Sequence, residues 1–158
     1  MPSTAAIERQ PQKRAISNSR YQEAVVSMFR TVNYLRRLGD AVFESHGITR
    51  QQYNVLRILH GASPGAVPTL EIAERLIEQA PGITRLLDRL EAKKLVRRER
   101  PAGNRRQVLC YITNAGVGVV HELDAPLKDL ALKSLQKLGK SDLEELIRLL
   151  ALIRNHDK

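Results

Sequence analysis

The sequence is poor in several residue types, and each shortage narrows the class of protein it can encode. One cysteine among 158 residues rules out a disulfide within the chain. The absence of a secretory signal and of an apolar run of about 18 residues predicts a cytoplasmic protein with no membrane segment. A phosphate loop, a nucleophile elbow and the HExxH and CxxC motifs are also missing, which argues against an enzyme.

Acidic residues are also scarce, and the resulting positive charge is unevenly spread. The chain has 26 Lys and Arg against 17 Asp and Glu, a net charge of +9. Between Gln79 and Gln107 nine basic residues face three acidic ones, which leaves +6 in under a fifth of the chain. Such a cluster is expected of a phosphate-binding surface, although a solvated basic face without a partner has the same count.

The stretch from Thr69 to Ile112 predicts two helices followed by a two-stranded ribbon. Thr69 is placed to cap the first helix, and in both helices apolar residues recur at helical spacing. The predicted buried positions are Leu70, Ile72, Ala73, Leu76 and Ile77 in the first helix and Ile83, Leu86, Leu87, Leu90 and Leu95 in the second. The opposite face of the second helix carries Ala80, Thr84, Arg85, Asp88 and Arg89.

After the second helix, residues alternate between apolar and polar, which predicts two short strands around a hairpin tip. The alternating apolar positions are Val96, Val108, Cys110 and Ile112, and the tip runs from Arg100 to Gln107. Pro101, Gly103 and Asn104 favour a turn there. Arg105 and Arg106 put positive charge on a ribbon that fits a DNA minor groove. The arrangement is that of a helix-turn-helix with a wing.

At these residues the chain resembles the MarR family of winged-helix transcriptional regulators. The resemblance is carried by the runs AERL, ITRLLDRLEAKKLVRRE and NRRQVLCYITNAG, in the family's order and spacing, and extends more weakly from about Tyr21 to the carboxyl terminus. It implies a mainly α fold with a small β-wing, in which a winged helix-turn-helix domain is joined to N- and C-terminal dimerisation helices.

Three positions depart from the family pattern. The region Gln79 to Gly82 lacks the usual Ser or Thr cap of the recognition helix, and Gly82 in a first turn weakens it. Asn104 stands where the family has an Asp two residues before the wing arginine, Arg106. Lys94 replaces the glycine near the end of the recognition helix, which predicts a less sharp stop.

The domain organisation follows from the same patterns. Residues 1–20 are polar, basic and proline-bearing, which predicts a flexible basic arm. Residues 21–158 form a single MarR-like domain, with dimerisation helices at 21–47 and 114–156 and the winged helix-turn-helix at 49–112. The leucine-rich last helix has apolar residues on more than one face, so a second copy of the chain is its expected partner.

Local signals place the ends of the flanking elements. The first helix runs from Tyr21 to His46 and ends at Gly47, and a capping box of Thr49 and Gln52 starts the next, which reaches Leu59. Residues 61–68 form a loop. Thr113 caps a helix from Asn114 to about Leu138 that Pro126 kinks or interrupts, and Ser141 with Glu144 caps the last helix, Asp142 to about Asn155.

DNA contacts are expected to divide into two kinds. Residues suited to phosphates position the protein, whereas arginines on the recognition helix read guanine edges. The phosphate candidates are Thr84, Lys93, Lys94, Arg97 and Arg98; the base-reading candidates are Arg85 and Arg89, with Gln79 for adenine; the wing candidates are Arg105 and Arg106. Arg89 has the alternative of pairing with Asp88 or Glu91, and Arg97 that of packing along the sheet.

The resemblance also implies a small-molecule effector. Family members commonly repress by occupying an operator and release it when an aromatic acid or another phenolic compound enters a cleft beside the dimer helices. Tyr34, Arg37, His46 and Tyr53 lie on the helices that would line such a cleft, although each is also explained as a structural residue.

No cofactor or metal is expected. Cys110 lies in phase with Val108 and Ile112, which points it inward as a small apolar residue rather than a redox sensor. The four histidines are scattered along the chain and show no ligand spacing.

The predicted function is therefore that of a transcriptional regulator that binds double-stranded DNA as a homodimer. Its operator would be a pseudo-palindrome with half-sites about 10 base pairs apart. The alternative is a winged-helix module for protein interaction or non-specific DNA binding. A basic recognition helix beside a basic wing favours DNA.

Overall fold

The computed structural model describes residues 20–77, 82–104 and 107–155. Within these ranges the chain forms six helices and one three-stranded antiparallel sheet. The helices are α1 (Arg20–Glu44), α2 (Arg50–Ala62), α3 (Thr69–Arg75), α4 (Ile83–Ala92), α5 (Asn114–Leu135) and α6 (Lys140–Arg154). The strands are β1 (Val67–Pro68), β2 (Val96–Glu99) and β3 (Leu109–Ile112), and the sheet order is β1-β3-β2. The mainly helical fold with a small wing is confirmed.

The chain divides into two compact units between Asn33 and Tyr34. The first contains the amino-terminal part of α1, where Tyr21 and Phe29 are exposed. The second contains the hydrophobic core and every other element. The basic arm predicted for residues 1–20 lies outside the described residues except for Arg20, and the single domain predicted for 21–158 stays a prediction.

The core of the second unit is built around α2, which contacts α3, α4, α5 and β3. Its apolar side chains recur at helical spacing, and Val55, Leu56 and Leu59 are fully enclosed by the surrounding elements. The largest completely buried side chains are Leu56, Leu59, Ile72, Leu87, Leu90 and Leu123. Burial of each leucine contributes roughly 1.5–3 kcal/mol, so this cluster holds α4 against the rest of the unit.

The predicted helix stop at Gly47 and the predicted capping box of Thr49 and Gln52 are both confirmed. The amide of Ile48 donates to the carbonyl of Phe43 (3.2 Å) and that of Gly47 to Glu44 (2.9 Å), so the helix ends two residues earlier than predicted but with Gly47 as its stop. In the capping box, the Gln52 amide donates to Thr49 Oγ1 (3.2 Å) and the Thr49 amide to Gln52 Oε1 (3.0 Å).

The loop predicted for residues 61–68 is wrong at both ends. α2 continues to Ala62, and Val67–Pro68 forms β1, which pairs with β3. Pro68 is tolerated because β1 is an edge strand, where a missing N–H leaves no ladder bond unmade. A two-residue strand has too little pattern of its own to be found without its partner.

The first helix of the helix-turn-helix, α3, also differs from its prediction. Thr69 is its first helical residue and not its cap, because its hydroxyl donates to the carbonyl of Val108 (3.3 Å). The helix ends at Arg75, so Ile77 lies beyond it. Leu70 and Ile77, predicted to be buried, are 77% and 83% exposed, whereas Ile72 and Leu76 are buried as predicted.

The carboxyl-terminal helices are confirmed in position but not in every cap. Thr113 caps α5, with the Gly116 amide donating to its Oγ1 (3.1 Å), and α5 runs uninterrupted through Pro126 to Leu135. The predicted Ser141 cap of α6 is wrong, because the helix already begins at Lys140. Its N-cap is Gly139, whose amide donates to Asp142 Oδ2 (3.3 Å).

The start of α5 lies very close to Leu95, which follows the recognition helix α4. A Cβ at Gly116 would fall under 3.0 Å from both the carbonyl oxygen of Leu95 and the side chain of Ile112. The neighbouring Gly118, in the same helix, has nothing within 4 Å of the equivalent position. Only a residue without a side chain therefore fits at position 116.

We predict opposite effects for the same substitution at these two glycines. Gly116→Ala should lower the free energy of unfolding by about 2–3 kcal/mol, because backbone must shift to admit the methyl group. Gly118→Ala should raise it by about 0.5–1 kcal/mol, because alanine favours a helix interior. Urea unfolding of the two variants and the parent chain measures both, and an unchanged Gly116→Ala would contradict the close packing.

Candidate nucleic-acid interface

The recognition helix α4 begins immediately after Gly82, which is its N-cap with φ +100°. Residues that carry a side chain rarely adopt this left-handed backbone conformation, so glycine suits the position. The prediction that Gly82 weakens the first helical turn is therefore wrong, since the residue precedes the helix. Gln79, Ala80 and Pro81 lie outside the described residues.

The two faces of α4 separate as predicted. Leu86, Leu87 and Leu90 are buried against the core, and Ile83 is partly buried. Thr84, Arg85, Asp88 and Arg89 are exposed on the other side. A polar strip that includes two arginines is thereby held on a rigid apolar base.

The end of α4 is abrupt, although Lys94 replaces the usual glycine. The Lys94 amide donates to the carbonyl of Glu91 (2.8 Å) and the Leu95 amide to that of Leu90 (3.0 Å), the bond pattern of a Schellman stop. Lys94 adopts φ +60° to make these bonds, and the prediction of a less sharp stop is wrong. Its exposed side chain and that of Lys93 follow directly after the helix; the Lys93 ammonium contacts the carbonyl of Gly47.

The wing consists of β2 and β3, paired antiparallel with Val96 opposite Ile112 and Glu99 opposite Leu109. At its tip, the Asn104 amide donates to the Pro101 carbonyl (3.1 Å), which confirms the predicted turn. Arg105 and Arg106 lie outside the described residues, so their minor-groove role remains a prediction.

The two arginines of β2 have different surroundings. Arg97 is half exposed, stacks 3.8 Å from the ring centroid of Tyr111 and contacts Glu99, consistent with the predicted packing along the sheet. The side chain of Arg98 is 22% exposed and meets two carboxylates of α4: Nε donates to Glu91 Oε2 (2.9 Å), and Nη2 donates to Asp88 Oδ1 (2.6 Å).

Asp88 and Glu91 are therefore partners of Arg98, whereas the alternative expected from the sequence was that one of them pairs with Arg89. Hydrogen bonds from Arg98 hold the pKa of the Glu91 carboxyl below its ordinary value of 4.5. Asp88 and Glu91 are three residues apart, which places both carboxylates on one helix face, and this spacing was the feature of the sequence that pointed to a shared partner. It did not identify which arginine they meet, because that depends on how β2 packs against α4.

A cavity of about 620 Å³ opens between α3, α4 and the wing. Thr84 and Leu87 line it from α4, Arg98 and Asn104 from the wing, and Leu70 from α3. A second cavity of about 510 Å³ lies on the other side of α4, where Arg89 faces Glu44, Ile48 and Lys93. Of the two exposed arginines of the recognition helix, Arg89 thus lines a concave surface.

The four predicted effector residues are not brought together by either cavity. Tyr53 is 6% exposed and packs 5.2 Å from the Phe43 ring, and burial raises its pKa above 10.0. His46 Nδ1 lies 3.1 Å from the carbonyl of Val42. Tyr34 and Arg37 are exposed.

Cys110 is completely buried in β3, as its phase in the strand predicts. Burial raises the pKa of its thiol, and its sulfur lies 3.6 Å from the hydroxyl of Thr69.

Among the described residues no group of three or more His, Cys, Asp or Glu is arranged to hold a metal ion. None of the described helices combines the length and hydropathy needed to cross a bilayer.

Helices α3 and α4 followed by the strands β2 and β3 define a winged helix-turn-helix protein. The sequence profile of the MarR family matches residues 46–107. A MarR transcription factor from Planctomyces limnophilus is 38% identical, covering 83% of this chain and 95% of its own, with a TM-score of 0.67. The chain belongs to the MarR family of transcriptional regulators.

Two more distant structures share the fold. A mutant MarR from E. coli, solved in complex with operator DNA, is 22% identical, with 85% of this chain and 95% of that chain covered and a TM-score of 0.75. BpsR from Bordetella bronchiseptica, whose DNA binding is regulated by 6-hydroxynicotinic acid, is 20% identical, with 84% and 99% covered and a TM-score of 0.74.

We predict that Lys94→Gly stabilises the protein. Glycine adopts the left-handed conformation of this position without the steric cost of a Cβ, so the free energy of unfolding should rise by about 0.5–1 kcal/mol. Lys94→Ala is the matched control, because it removes the charge and keeps the Cβ. Thermal and urea unfolding should separate the two variants, and equal stabilities would contradict a strained backbone at Lys94.

Proposed function

We propose that the protein is a sequence-specific regulator that binds double-stranded DNA as a homodimer and represses transcription from a pseudo-palindromic operator. The observation that carries the proposal is the exposed strip of α4, where Thr84, Arg85 and Arg89 project from a helix fixed by buried leucines. A rigid helix with exposed arginines fits a major groove. The operator complex of the E. coli relative supports this use of the fold.

The arginines of α4 are proposed to read bases. Arg85 and Arg89 lie one helical turn apart, and a guanidinium bonds O6 and N7 of guanine together. Thr84, Lys93, Lys94 and Arg97 are proposed to contact phosphates, and Gln79, Arg105 and Arg106, outside the described residues, keep the roles predicted from the sequence. Arg98, predicted from the sequence as a phosphate contact, is already engaged by the carboxylates of Glu91 and Asp88.

Dimerisation is supported by large apolar side chains that are exposed among the residues the structure describes. In α1, Phe29 is 67% exposed, and in α6 no residue is buried, with Ile147 and Leu152 about 60% exposed. Large exposed apolar side chains cost free energy in water, and on each of these helices they are expected at an interface with another chain. A two-fold dimer would also present two copies of α4 to successive turns of the operator.

Control by an aromatic or phenolic effector completes the proposal. Its support is the regulation of BpsR by 6-hydroxynicotinic acid, an aromatic acid. The residues proposed to contact the effector are still those predicted from the sequence, Tyr34, Arg37, His46 and Tyr53. The second copy of the chain would complete the cleft that they line. Binding of the effector to the form unable to hold the operator would release the DNA.

The first test is selection of purified protein against a random duplex pool at about 0.15 M salt, where non-specific phosphate binding is weakened. We expect enrichment of an inverted repeat with half-sites about 10 base pairs apart, bound by two chains in light scattering. Binding without an enriched motif would instead favour a non-specific DNA-binding module. Absence of binding would favour a protein-interaction module.

We predict different DNA-binding defects for two arginine substitutions. Arg85→Ala should relax the preference at one base position and cost about 1–3 kcal/mol on the operator, because a bidentate base contact is lost. Arg97→Ala should weaken all sequences alike and reduce the salt slope by about one, because a phosphate contact is lost. Titrations on operator and scrambled duplexes at several salt concentrations measure both effects. An unchanged base preference in Arg85→Ala would remove its base-reading role.

A further inference from the structure

Arg98 is the most extensively bonded cation of the described interface. Its Nε donates to Glu91 Oε2 (2.9 Å), and its Nη2 donates to both Glu91 Oε2 (2.5 Å) and Asp88 Oδ1 (2.6 Å). The backbone amide of Arg98 also donates to Glu91 Oε1 (3.1 Å). Four hydrogen bonds therefore join one residue of β2 to two side chains of α4.

The backbone bond explains how β2 is attached. β2 is an edge strand of the sheet, so one side of it has no neighbouring strand to accept its amides. At Arg98 the Glu91 carboxylate takes the place of that neighbour, and its second oxygen holds the side chain of the same residue. The recognition helix is thus tied to the strand that leads into the wing tip.

The local charge argues against a phosphate contact by Arg98. One guanidinium stands among two carboxylates, which leaves a net negative charge on the group. The side chain is also only 22% exposed, compared with 51% for Arg97. To reach a phosphate, the guanidinium would have to leave bonds that already satisfy it, and both carboxylates would then face the DNA unpaired.

We propose that Arg98 is a positioning residue that, with Glu91 and Asp88, sets the angle between the recognition helix and the wing. DNA recognition by this fold needs α4 in the major groove and the wing tip in the adjacent minor groove at the same time. A fixed angle lets both contacts form without reordering. This inference rests on the proposed DNA-binding function.

The positioning role and a phosphate role make opposite predictions for two conservative variants. Arg98→Lys keeps the positive charge but loses the planar fork that bridges the two carboxylates. Glu91→Gln removes a negative charge beside the DNA, which would tighten binding if charge alone mattered. It also weakens the bond to Arg98, which weakens operator binding if the angle matters.

The test measures the dissociation constants of the selected operator and a scrambled duplex by fluorescence anisotropy. We expect Arg98→Lys and Glu91→Gln each to weaken operator binding about tenfold, similar to the loss of one base contact, with scrambled binding changed less than about twofold. The double variant should be no weaker than either single variant, because both remove the same connection. Glu99→Gln is the matched control: it removes a carboxylate of β2 that meets Arg97 and should not weaken operator binding.

Three results would overturn the inference. They are operator binding by Arg98→Lys equal to the parent, tighter binding by Glu91→Gln, and additive losses in the double variant. If Glu91→Gln does not fold, as judged by circular dichroism, Asp88→Asn replaces it, since that change leaves every Glu91 bond in place. A parent chain that does not distinguish operator from scrambled DNA would overturn the proposed function itself. If the parent binds the operator selectively but the affinities of the variants follow their charge alone, only the positioning role is overturned.

Discussion

The junction at Leu95 is the constraint on which the rest of the second unit depends. Its amide closes the end of α4, and its carbonyl accepts the amide of Thr113 (3.1 Å) at the start of α5. The Thr113 hydroxyl donates to the carbonyl of Lys94 (2.7 Å), and Gly116 lets the two backbones approach. Because β2 begins at the next residue, the recognition helix, the wing and α5 are all oriented at one point.

Three carboxylates within the basic surface pair with two of its arginines. Glu91 and Asp88 both pair with Arg98, and Glu99 pairs with Arg97. The exposed arginines of α4 therefore stand beside arginines of β2 that already have carboxylate partners. A charge count over the same residues measures the attraction for DNA but does not separate cations that hold the fold from cations that face outward.

Local sequence patterns predicted most of the helices and the wing. The 3.6-residue period of α4 and the alternation in β3 arise from backbone geometry within one element, so no distant residue is needed to detect them. The Thr49 and Thr113 caps were predicted for the same reason, since each bonds an amide three residues away. The family resemblance added the expectations of repression and of a small-molecule effector.

The sequence by itself thus determined which segments are helical, which residues of α4 are buried and where the basic charge concentrates. Tertiary structure alone decided that Val67–Pro68 is a strand, that Leu70 is exposed and that the partner of Asp88 and Glu91 is Arg98. Each of these depends on residues distant in sequence: β1 needs β3, and the carboxylates need β2. Spacing within one element carries no information about which neighbour it meets, because that is settled when the elements pack.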